Sequence, residues 1–365
     1  MRLVPVNCIK ENSILAKTIY DRDGRVLLAK GYKLNKDMIK RVELIGIQSL
    51  YVNDSYSDSE IEDIIKPELR QKAIKTIKGG FEFLSKNKNA TYKERNAKNR
   101  DKIINSISKV ANEILDELLE QKDLLINLVD IKSMDNYTYE HCINVTILSV
   151  IIGIELKFDR SRLLDLAIGA MLHDIGKVFM PVDILLKNGS LTDSEYSIVK
   201  LHPVDGYDYV RDNFDISMLS RNIILHHHEK VDGTGYPDGL KGESLHEFAK
   251  VAAIADVYDA LTSDRPYRRA MSPNEAIEYL MGAADRHFDY KIVSAFVKKI
   301  VPYPIGTLVR LSNGDIGVVE EIFSNMPLRP KIKVVKQSVT SFDKKYVDLR
   351  KEYSVVIEGI QYETP

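Results

Sequence analysis

The sequence predicts a mainly α-helical protein, with an all-helical central region between a small N-terminal α+β domain and a small C-terminal barrel-like β module. Three observations predict this class. Apolar residues recur every three or four positions from Ile103 to Leu118, as on one face of a long amphipathic helix. The apolar run from Val145 to Leu156 is typical of a buried helix. From Pro302 the apolar residues follow a period of two, which is typical of β-strands.

Composition places the chain among ordinary globular proteins. Its 365 residues, 44% of them hydrophobic and 29% charged, suit two or three domains. The net charge of −1 gives no electrostatic basis for binding a nucleic acid polymer. Cys8 and Cys142 lack CxxC spacing, which indicates a reducing compartment. The run from Val145 to Leu156 is too short for a membrane segment, and Met1 to Lys17 is too polar for a signal peptide. We therefore expect a cytoplasmic protein.

The N-terminal domain is expected to cover residues 1–60. Ile14–Ile19 and Arg25–Leu28 are predicted strands joined by a turn at 21–24. Asn35 is the expected cap of a helix, and Ile47–Val52 is a further predicted strand. This domain holds no catalytic cluster, so we interpret it as an accessory or regulatory domain.

A helical linker is expected over residues 61–120. Pro67 is predicted to start a helix that ends at Gly79-Gly80. The basic stretch Lys86–Lys102 is interpreted as a solvated loop or frayed helix in preference to a contact patch. The apolar stripe from Ile103 to Leu118 favours packing on the next domain, with a homodimer seam as the alternative.

The central domain, residues 121–301, carries clear signals for helix starts. Two capping boxes are predicted, Thr192 with Glu195 before the helix expected to carry His202, and Ser272 with Glu275. The alanine-rich stretch Ala249–Leu261 predicts a buried helix that carries Asp256 and Asp259. In the β module, residues 302–365, Asn313-Gly314 is a hairpin signal, and no catalytic constellation is evident.

Histidine and aspartate residues cluster in the central domain. Five of the eight histidines lie between positions 173 and 228, and His141 is a sixth. Such a density of imidazoles and carboxylates indicates a metal site. Asp174 has two oxygens and can bridge two cations. One ion can be completed by His141, His173 and Asp256, and the other by His202, His227 and His228.

The ligand set suits Fe, Mn, Zn, Ni or Co. Two such ions about 3.5–4 Å apart, sharing a bridging hydroxide, are a common device for attacking phosphorus. The sequence therefore predicts metal-dependent hydrolysis of a phosphate ester.

Several motifs carry a family resemblance, and they occur in a fixed order. Together they resemble the HD-GYP family of cyclic di-GMP phosphodiesterases, within the HD phosphohydrolase superfamily. The resemblance covers roughly residues 121 to 300. The motifs are 135–141 (DNYTYEH), His173-Asp174, 226–229 (HHHE), 232–237 (DGTGYP), 254–261 (IADVYDAL) and 265–268 (RPYR).

The resemblance implies an all-helical HD-type catalytic domain with two divalent ions, of which iron and manganese are favoured over nickel, cobalt and zinc. The seven residues named above fall on the family's metal-binding positions. The family pair directly precedes Glu229, so His226 is an extra histidine, interpreted as structural. Members with a third ion use a glutamate where this chain has Tyr137, so we expect two ions and not three.

The resemblance also implies residues that act on the substrate. Asp174 and Lys177 are the expected catalytic residues, and Lys177 and Arg265 match positions that contact phosphate. Gly235 and Tyr236 belong to a glycine-rich loop that permits close approach to a nucleotide. Ordinary ion pairing is the alternative for Lys177 and Arg265, and a rigid turn that braces the metal site is the alternative for the loop. In the family this loop is also linked to diguanylate cyclase (GGDEF) domains.

The expected function is that of a bacterial second-messenger enzyme. A metal-bridging hydroxide would attack a phosphodiester of cyclic di-GMP and yield pGpG, GMP or both. One alternative is a catalytically silent module that senses cyclic di-GMP or docks a cyclase. The presence of every expected metal ligand argues against this alternative. Another is an HD-superfamily hydrolase of a different nucleotide, against which the Gly-Tyr-Pro loop and the adjacent histidine pair argue.

Overall fold

The computed structural model of the chain describes residues 1–20, 25–45, 47, 49–53, 63–86, 97–121, 137–185, 187, 189–213, 215–263, 270–323, 326–336 and 345–362. The chain divides into two compact units. The first contains residues 1–64 and 298–365, and the second contains residues 65–124 and 136–297. The finer division at residues 60, 120 and 301 stays a prediction.

The N-terminal part of the first unit is an α+β domain. Its strands are β1 (Arg2–Pro5), β2 (Ile14–Leu15), β3 (Ile19–Tyr20), β4 (Val26–Leu28) and β5 (Ser49–Asn53). They form an antiparallel sheet ordered β1-β5-β2 and a separate β3-β4 pair. The side chain of Asn35 caps helix α1 (Lys36–Leu44) by accepting the N–H of Met38 at 2.8 Å, as predicted.

The prediction of a single strand over Ile14–Ile19 is wrong. The backbone changes its pairing partner there from β5 to β4, so the segment contributes to two sheets. The turn expected at 21–24 lies outside the described residues.

The C-terminal part of the first unit is the expected β module. Its antiparallel sheet is ordered β10-β6-β7-β8-β9. The strands are β6 (Leu308–Leu311), β7 (Ile316–Glu321), β8 (Lys331–Lys336), β9 (Tyr346–Asp348) and β10 (Ile357–Ile360). The predicted turn at Asn313-Gly314 joins β6 to β7, and Gly314 has a φ of 86° that glycine adopts without strain. The barrel-like expectation is corrected, because among the described residues β9 and β10 each pair with a single neighbour and the sheet stays open.

All the regular elements in the described residues of the second unit are helices. Its helices are α2 (Pro67–Lys86), α3 (Ala97–Glu120), α4 (Tyr137–Glu155), α5 (Arg160–Leu172), α6 (Val182–Leu185), α7 (Asp193–Val199), α8 (His202–Val210), α9 (Met218–His226), α10 (Glu247–Leu261), α11 (Pro273–Gly282) and α12 (Tyr290–Val297). Helix α4 packs against α5 and α10, and α5 packs against α9. The apolar run Val145–Leu156 falls mainly in α4 and is largely buried there, as predicted. No described helix combines the length and apolar character needed to cross a bilayer.

Helix α2 continues past its expected end at Gly79-Gly80. The missing side chain of Gly80 has another role, since a methyl group there would lie only 3.0 Å from the Ile103 side chain of α3. The glycine therefore allows close packing between two helices and does not end one. The predicted stripe on α3 is confirmed, because Ile107, Ile114 and Leu118 are fully buried. Of the basic stretch Lys86–Lys102, residues 87–96 lie outside the described residues.

Both predicted capping boxes are confirmed, at Thr192 with Glu195 and at Ser272 with Glu275. The first box does not begin the helix that carries His202, as had been expected. It begins α7, which ends at Val199, and His202 is the first residue of the separate helix α8. Pro203 at the start of α8 explains the break, because proline is tolerated in a first helical turn but not inside a continuous helix.

Candidate metal centre

The His173-Asp174 pair lies at the point where one helix ends and a tight turn begins. Helix α5 ends at Leu172, His173 caps it, and Asp174 precedes a 3-10 helical turn, Ile175–Phe179. A methyl group on Gly176 would lie 1.9 Å from the carbonyl oxygen of His202. Glycine at this position therefore lets the start of α8, and with it His202, approach the Asp174 side chain.

Three further helices bring the remaining side chains to this point. Helix α4 supplies His141, and the buried helix α10 supplies Asp256. Helix α9 ends at His226, so His227 caps its C-terminus and His228 follows. The structure therefore brings together all seven side chains that were expected to bind metal, from elements far apart in sequence.

The two carboxylate oxygens of Asp174 face different groups of histidines. Oδ1 lies 3.4 Å from Nε2 of His202 and 3.9 Å from Nε2 of His227. Oδ2 lies 3.3 Å from Nε2 of His173 and 3.7 Å from Nε2 of His141. Each oxygen of Asp174 therefore lies beside a different pair of imidazoles.

The seven side chains fall into two groups, each with ligand atoms within 4.8 Å of one another. We call them the first group (His141, His173 and Asp256) and the second group (Asp174, His202, His227 and His228). In the first group, Nε2 of His141 lies 3.1 Å from Oδ1 of Asp256. The grouping agrees with the division expected from the sequence, with Asp174 at the boundary.

The orientation of three of the imidazoles is set by contacts of their Nδ1 atoms with backbone carbonyl oxygens. Nδ1 of His173 lies 2.7 Å from the carbonyl oxygen of Ala170, and Nδ1 of His202 lies 2.7 Å from that of Val199. Nδ1 of His227 approaches the carbonyl oxygens at the end of α9 in the same way. When Nδ1 carries the hydrogen and donates it, Nε2 keeps a free lone pair directed into the centre.

Two atoms at the centre are consistent with metal binding. Nε2 of His173 and Oδ1 of Asp174 are buried and have no hydrogen-bond partner among the described residues. Buried polar atoms normally have a partner, and a cation would supply one to both. The donor set of four imidazole Nε2 atoms, the His228 ring and two carboxylates therefore fits divalent transition metals.

Burial keeps three of the histidines neutral. It lowers the pKa of His202 to about 3 and that of His228 to about 4, and it lowers the pKa of His227 well below its usual value. A neutral imidazole is the form that binds a metal ion. At neutral pH these three side chains are ready to act as ligands without losing a proton.

His141 differs because it lies between two carboxylates. Burial lowers its pKa, but the hydrogen bonds to Asp256 and Asp259 outweigh that effect and raise the pKa to about 9. Burial would also raise the pKa of Asp174, yet the positive charge of Lys177 and the contact with His173 hold it well below the usual range. Asp174 therefore stays ionised, which is the form of a carboxylate that binds a cation.

The residues expected to contact substrate are distributed around this centre. Nζ of Lys177 lies 2.5 Å from Oδ2 of Asp174. The ring of Tyr236 lies 4.9 Å from that of His228, and burial raises the pKa of the Tyr236 hydroxyl, which therefore stays protonated. A methyl group on Gly235 would lie 2.4 Å from Cα of Glu229, so the loop packs directly on the backbone after the histidine pair. Arg265 lies outside the described residues, as does the side chain of Tyr137.

The loop is attached to α9 by side chains whose roles the sequence did not reveal. The buried carboxylate of Glu229 accepts backbone N–H groups from Asp238, Gly239 and Leu240 at 2.7, 2.9 and 3.1 Å. Nε2 of His226 lies 2.9 Å from Oδ2 of Asp238. His226 therefore faces the loop, which agrees with its interpretation as a structural residue.

Two buried polar residues behind His141 were also missed. Oδ2 of Asp259 lies 2.7 Å from Nδ1 of His141, and the Asn144 side chain donates to Oδ1 of Asp259 at 3.0 Å. A signal for both was present, because Asp259 follows Asp256 by three residues and Asn144 follows His141 by three. On a helix that spacing places the two side chains on the same face.

Comparison with known families identifies the fold. A family model described as "HD domain" matches residues 113–292, and another, described as "KOW domain associated with HD domain", matches residues 308–363. Residues 113–292 therefore belong to the HD domain family, and the expected membership of the HD superfamily is confirmed.

Several relatives carry functional names. A protein of Pseudomonas aeruginosa named "Cyclic di-GMP phosphodiesterase PA4108" is 40% identical over 227 residues, which is 62% of this chain and 55% of that protein. The "Cyclic di-GMP phosphodiesterase response regulator RpfG" of Xanthomonas campestris is 40% identical over 144 residues, 39% of this chain and 38% of that protein. The "3′3′-cGAMP-specific phosphodiesterase 1" of Vibrio cholerae is 36% identical over 171 residues, 46% of this chain and 38% of that protein. The matches thus span about half, or less, of these relatives.

Proposed function

We propose that this chain is a metal-dependent phosphodiesterase that hydrolyses cyclic di-GMP to pGpG, GMP or both. The observation that carries the proposal is the division of the Asp174 oxygens, with Oδ1 directed at His202 and Oδ2 at His173. A carboxylate so placed can hold two cations at once. The names of the relatives support cyclic di-GMP as the substrate.

Two divalent ions, iron or manganese in preference to nickel, cobalt or zinc, are the proposed cofactors. The first would be held by His141, His173 and Asp256, the second by His202, His227 and His228, and Asp174 would bind both. When bound, such ions polarise a phosphodiester and lower the pKa of water towards about 7. The imidazoles of His173 and His202 are held by their Nδ1 contacts, so these two side chains would need little rearrangement to bind the ions.

The protein side chains would orient the substrate and balance its charge. Lys177 lies beside Asp174 and can contact a phosphoryl oxygen at the metal centre, where its charge offsets the charge that develops during displacement. Tyr236 can stack on a guanine or donate a hydrogen bond from its protonated hydroxyl. Gly235 brings the loop backbone close to the same site. Arg265 is proposed as a second phosphate contact from its sequence motif alone.

A related cyclic dinucleotide is the second candidate substrate. Two relatives are named 3′3′-cGAMP-specific phosphodiesterases, at 36% and 37% identity. That substrate differs from cyclic di-GMP in one base, so the metal chemistry would be the same for both. Contacts between the protein and the bases would decide which of the two substrates is preferred. A catalytically silent sensor and a hydrolase of another nucleotide are the remaining alternatives.

The test is turnover by protein purified without oxygen and analysed for bound metal. Cyclic di-GMP and 3′3′-cGAMP are supplied separately, and products are separated by chromatography. We expect cyclic di-GMP to be consumed faster, and loss of both metal and activity in Asp174→Ala. Asp208→Ala, which removes an exposed partner of Arg211 on α8, is the matched control and should behave as wild type. Full activity in Asp174→Ala would contradict the proposal.

Three further expectations stay predictions. The chain would act in the cytoplasm, the Gly-Tyr-Pro loop would dock diguanylate cyclase (GGDEF) domains, and the chain would form a homodimer. The exposure of Thr234 and Asp238 makes part of the loop accessible to a partner. Light scattering, and binding of a purified cyclase domain to the full chain, would test the last two.

A further inference from the structure

A chain of hydrogen bonds connects helix α2 to His141. Nη1 of Arg70 donates to Oδ1 of Asn144 at 2.8 Å, and Nδ2 of Asn144 donates to Oδ1 of Asp259 at 3.0 Å. Oδ2 of Asp259 then lies 2.7 Å from Nδ1 of His141. Asn144 and Asp259 are 1% and 3% exposed, so water competes little for these bonds.

The chemistry of Arg70 and Asp259 determines which group donates in each hydrogen bond of this series. A guanidinium group can only donate hydrogen bonds, so the atom of Asn144 that faces Arg70 must be the amide oxygen. The amide NH₂ group then faces Asp259, where it donates. An ionised carboxylate only accepts, so Nδ1 of His141 must be the donor to Asp259. Nε2 of His141 faces Asp256 and Asp174, and it is the nitrogen that offers a lone pair to a metal ion when the imidazole is neutral.

Without Arg70, the orientation of the Asn144 amide would lose one of its determinants. Rotation by half a turn would direct the amide oxygen at the Asp259 carboxylate, and the two acceptors would repel each other. Asp259 would then hold His141 less firmly. The arginine thus acts on His141 through two intervening side chains.

We propose that Arg70 is a positioning residue for the first group, which fixes the orientation and tautomer of His141 through Asn144 and Asp259. The inference deepens the proposed function, since it concerns the same metal centre. Residues behind a metal ligand typically change metal affinity by about 10–100-fold when they are removed.

The inference matters because Arg70 lies outside the HD domain match at residues 113–292. Helix α2 is also attached to the helices around the site. The ring of Phe81 contacts that of Tyr139 on α4 edge to face, with centroids 5.8 Å apart, and Glu117 of α3 accepts the backbone N–H of Lys66 at 2.6 Å. A helix that precedes the HD domain in sequence thereby controls one ligand inside it.

The effect should be restricted to one of the two groups. In the second group, the Nδ1 atoms of His202 and His227 contact backbone carbonyl oxygens three or four residues earlier in the chain. Neither contact involves Asn144 or Asp259. Removal of Arg70 should therefore weaken the binding of one ion and leave the other unchanged.

The experiment measures Mn²⁺ binding to the full chain by competition with a chelator, with metal content after dialysis as a second readout. Arg70→Met, Arg70→Lys and Asp259→Asn are compared with wild type. Lys72→Met is the matched control, because it removes a positive charge two residues away on α2 that pairs with Glu113 at 2.5 Å. Thermal unfolding in chelator confirms that each variant is folded.

For Arg70→Met we expect one of two Mn²⁺ sites to weaken about tenfold, and for Asp259→Asn by about 10–100-fold. Arg70→Lys should restore part of the loss, and Lys72→Met should bind both ions as wild type. Wild-type binding by Arg70→Met, or equal weakening of both sites, would overturn the inference. Wild-type protein that binds two ions but leaves cyclic di-GMP intact would refute the proposed function and not this inference.

Discussion

Nζ of Lys177 lies 2.5 Å from Oδ2 of Asp174, the oxygen that also faces His173 and His141. The lysine therefore contributes positive charge at the boundary between the two groups of metal ligands. The contact offsets the burial of Lys177 and raises the pKa of its ammonium group above the usual value. Lys177 thus stays charged at any pH at which the enzyme would work.

We expect Lys177→Met to lower kcat for cyclic di-GMP by about 10²–10³-fold, the cost typical of losing one donor to a developing negative charge. Metal content should remain at the wild-type level, because Lys177 is not a ligand. Steady-state kinetics and elemental analysis on the same preparation measure both quantities. An unchanged kcat would exclude a role for Lys177 in charge stabilisation, and Lys72→Met serves as the control for loss of a cation elsewhere.

Adjacent histidines should respond differently to substitution. His227→Ala removes a member of the second group, so we expect it to lose about one of two bound ions and most of its activity. His226→Ala removes the contact with Asp238 and should keep both ions while raising KM. Metal content and KM for the two variants form a matched pair. Equal metal loss in both would show that His226 is a ligand.

Gly235 is expected to tolerate no side chain. In Gly235→Ala the new methyl group would meet the backbone of Glu229 and Lys230 at 2.4 Å, and such crowding typically costs about 1–3 kcal/mol. We expect a lower thermal unfolding midpoint and a higher KM. Gly282→Ala, at a position with no neighbour within 4 Å, is the control and should cause neither change. A Gly235→Ala protein with wild-type stability and KM would show that the loop adapts freely.

The capping box of α7 predicts a dependence of stability on pH. The hydrogen bond from Lys187 and the backbone N–H of Thr192 lower the pKa of Glu195 to about 2, against an ordinary value of 4.5. Because the pKa is lowered in the folded state, the contribution of Glu195 to stability is fully present above about pH 4.5. It is lost progressively as the pH falls towards 2.

We therefore expect Glu195→Gln to be less stable than wild type at pH 7, with a difference that narrows as the pH falls below 4.5. Urea unfolding midpoints between pH 7 and pH 3 measure the difference. Glu278→Gln, which alters an exposed carboxylate of α11, should show no comparable trend. A difference that stays constant with pH would rule out the ionised capping box as its source.

Several features of the fold and of the metal centre were predictable because the sequence signals for them are local. The caps at Asn35, Thr192 and Ser272 depend on residues only three positions apart, and the structure confirms each of them. The metal-ligand candidates were recognisable because histidines are rare in this chain and concentrated in one region. Their division into two groups followed from the two oxygens of Asp174.

The remaining features depend on contacts between distant segments, which spacing cannot reveal. Arg70 and Asn144 are 74 positions apart, and nothing in either local sequence indicates their hydrogen bond. Gly80 carries the same local signal whether it ends a helix or allows the close approach of Ile103. The exchange of pairing partners between Leu15 and Ile19 likewise depends on where β4 and β5 lie.

The attachment of the Gly-Tyr-Pro loop has a mechanical consequence. Glu229 follows His228 directly and holds three successive backbone N–H groups of the loop. The loop cannot shift alone without depriving the buried Glu229 side chain of its three hydrogen bonds, which is energetically costly. The loop and the histidine pair should therefore move together. A displacement of the loop surface would be transmitted from Glu229 to His228, a member of the second group, through the single peptide bond between them.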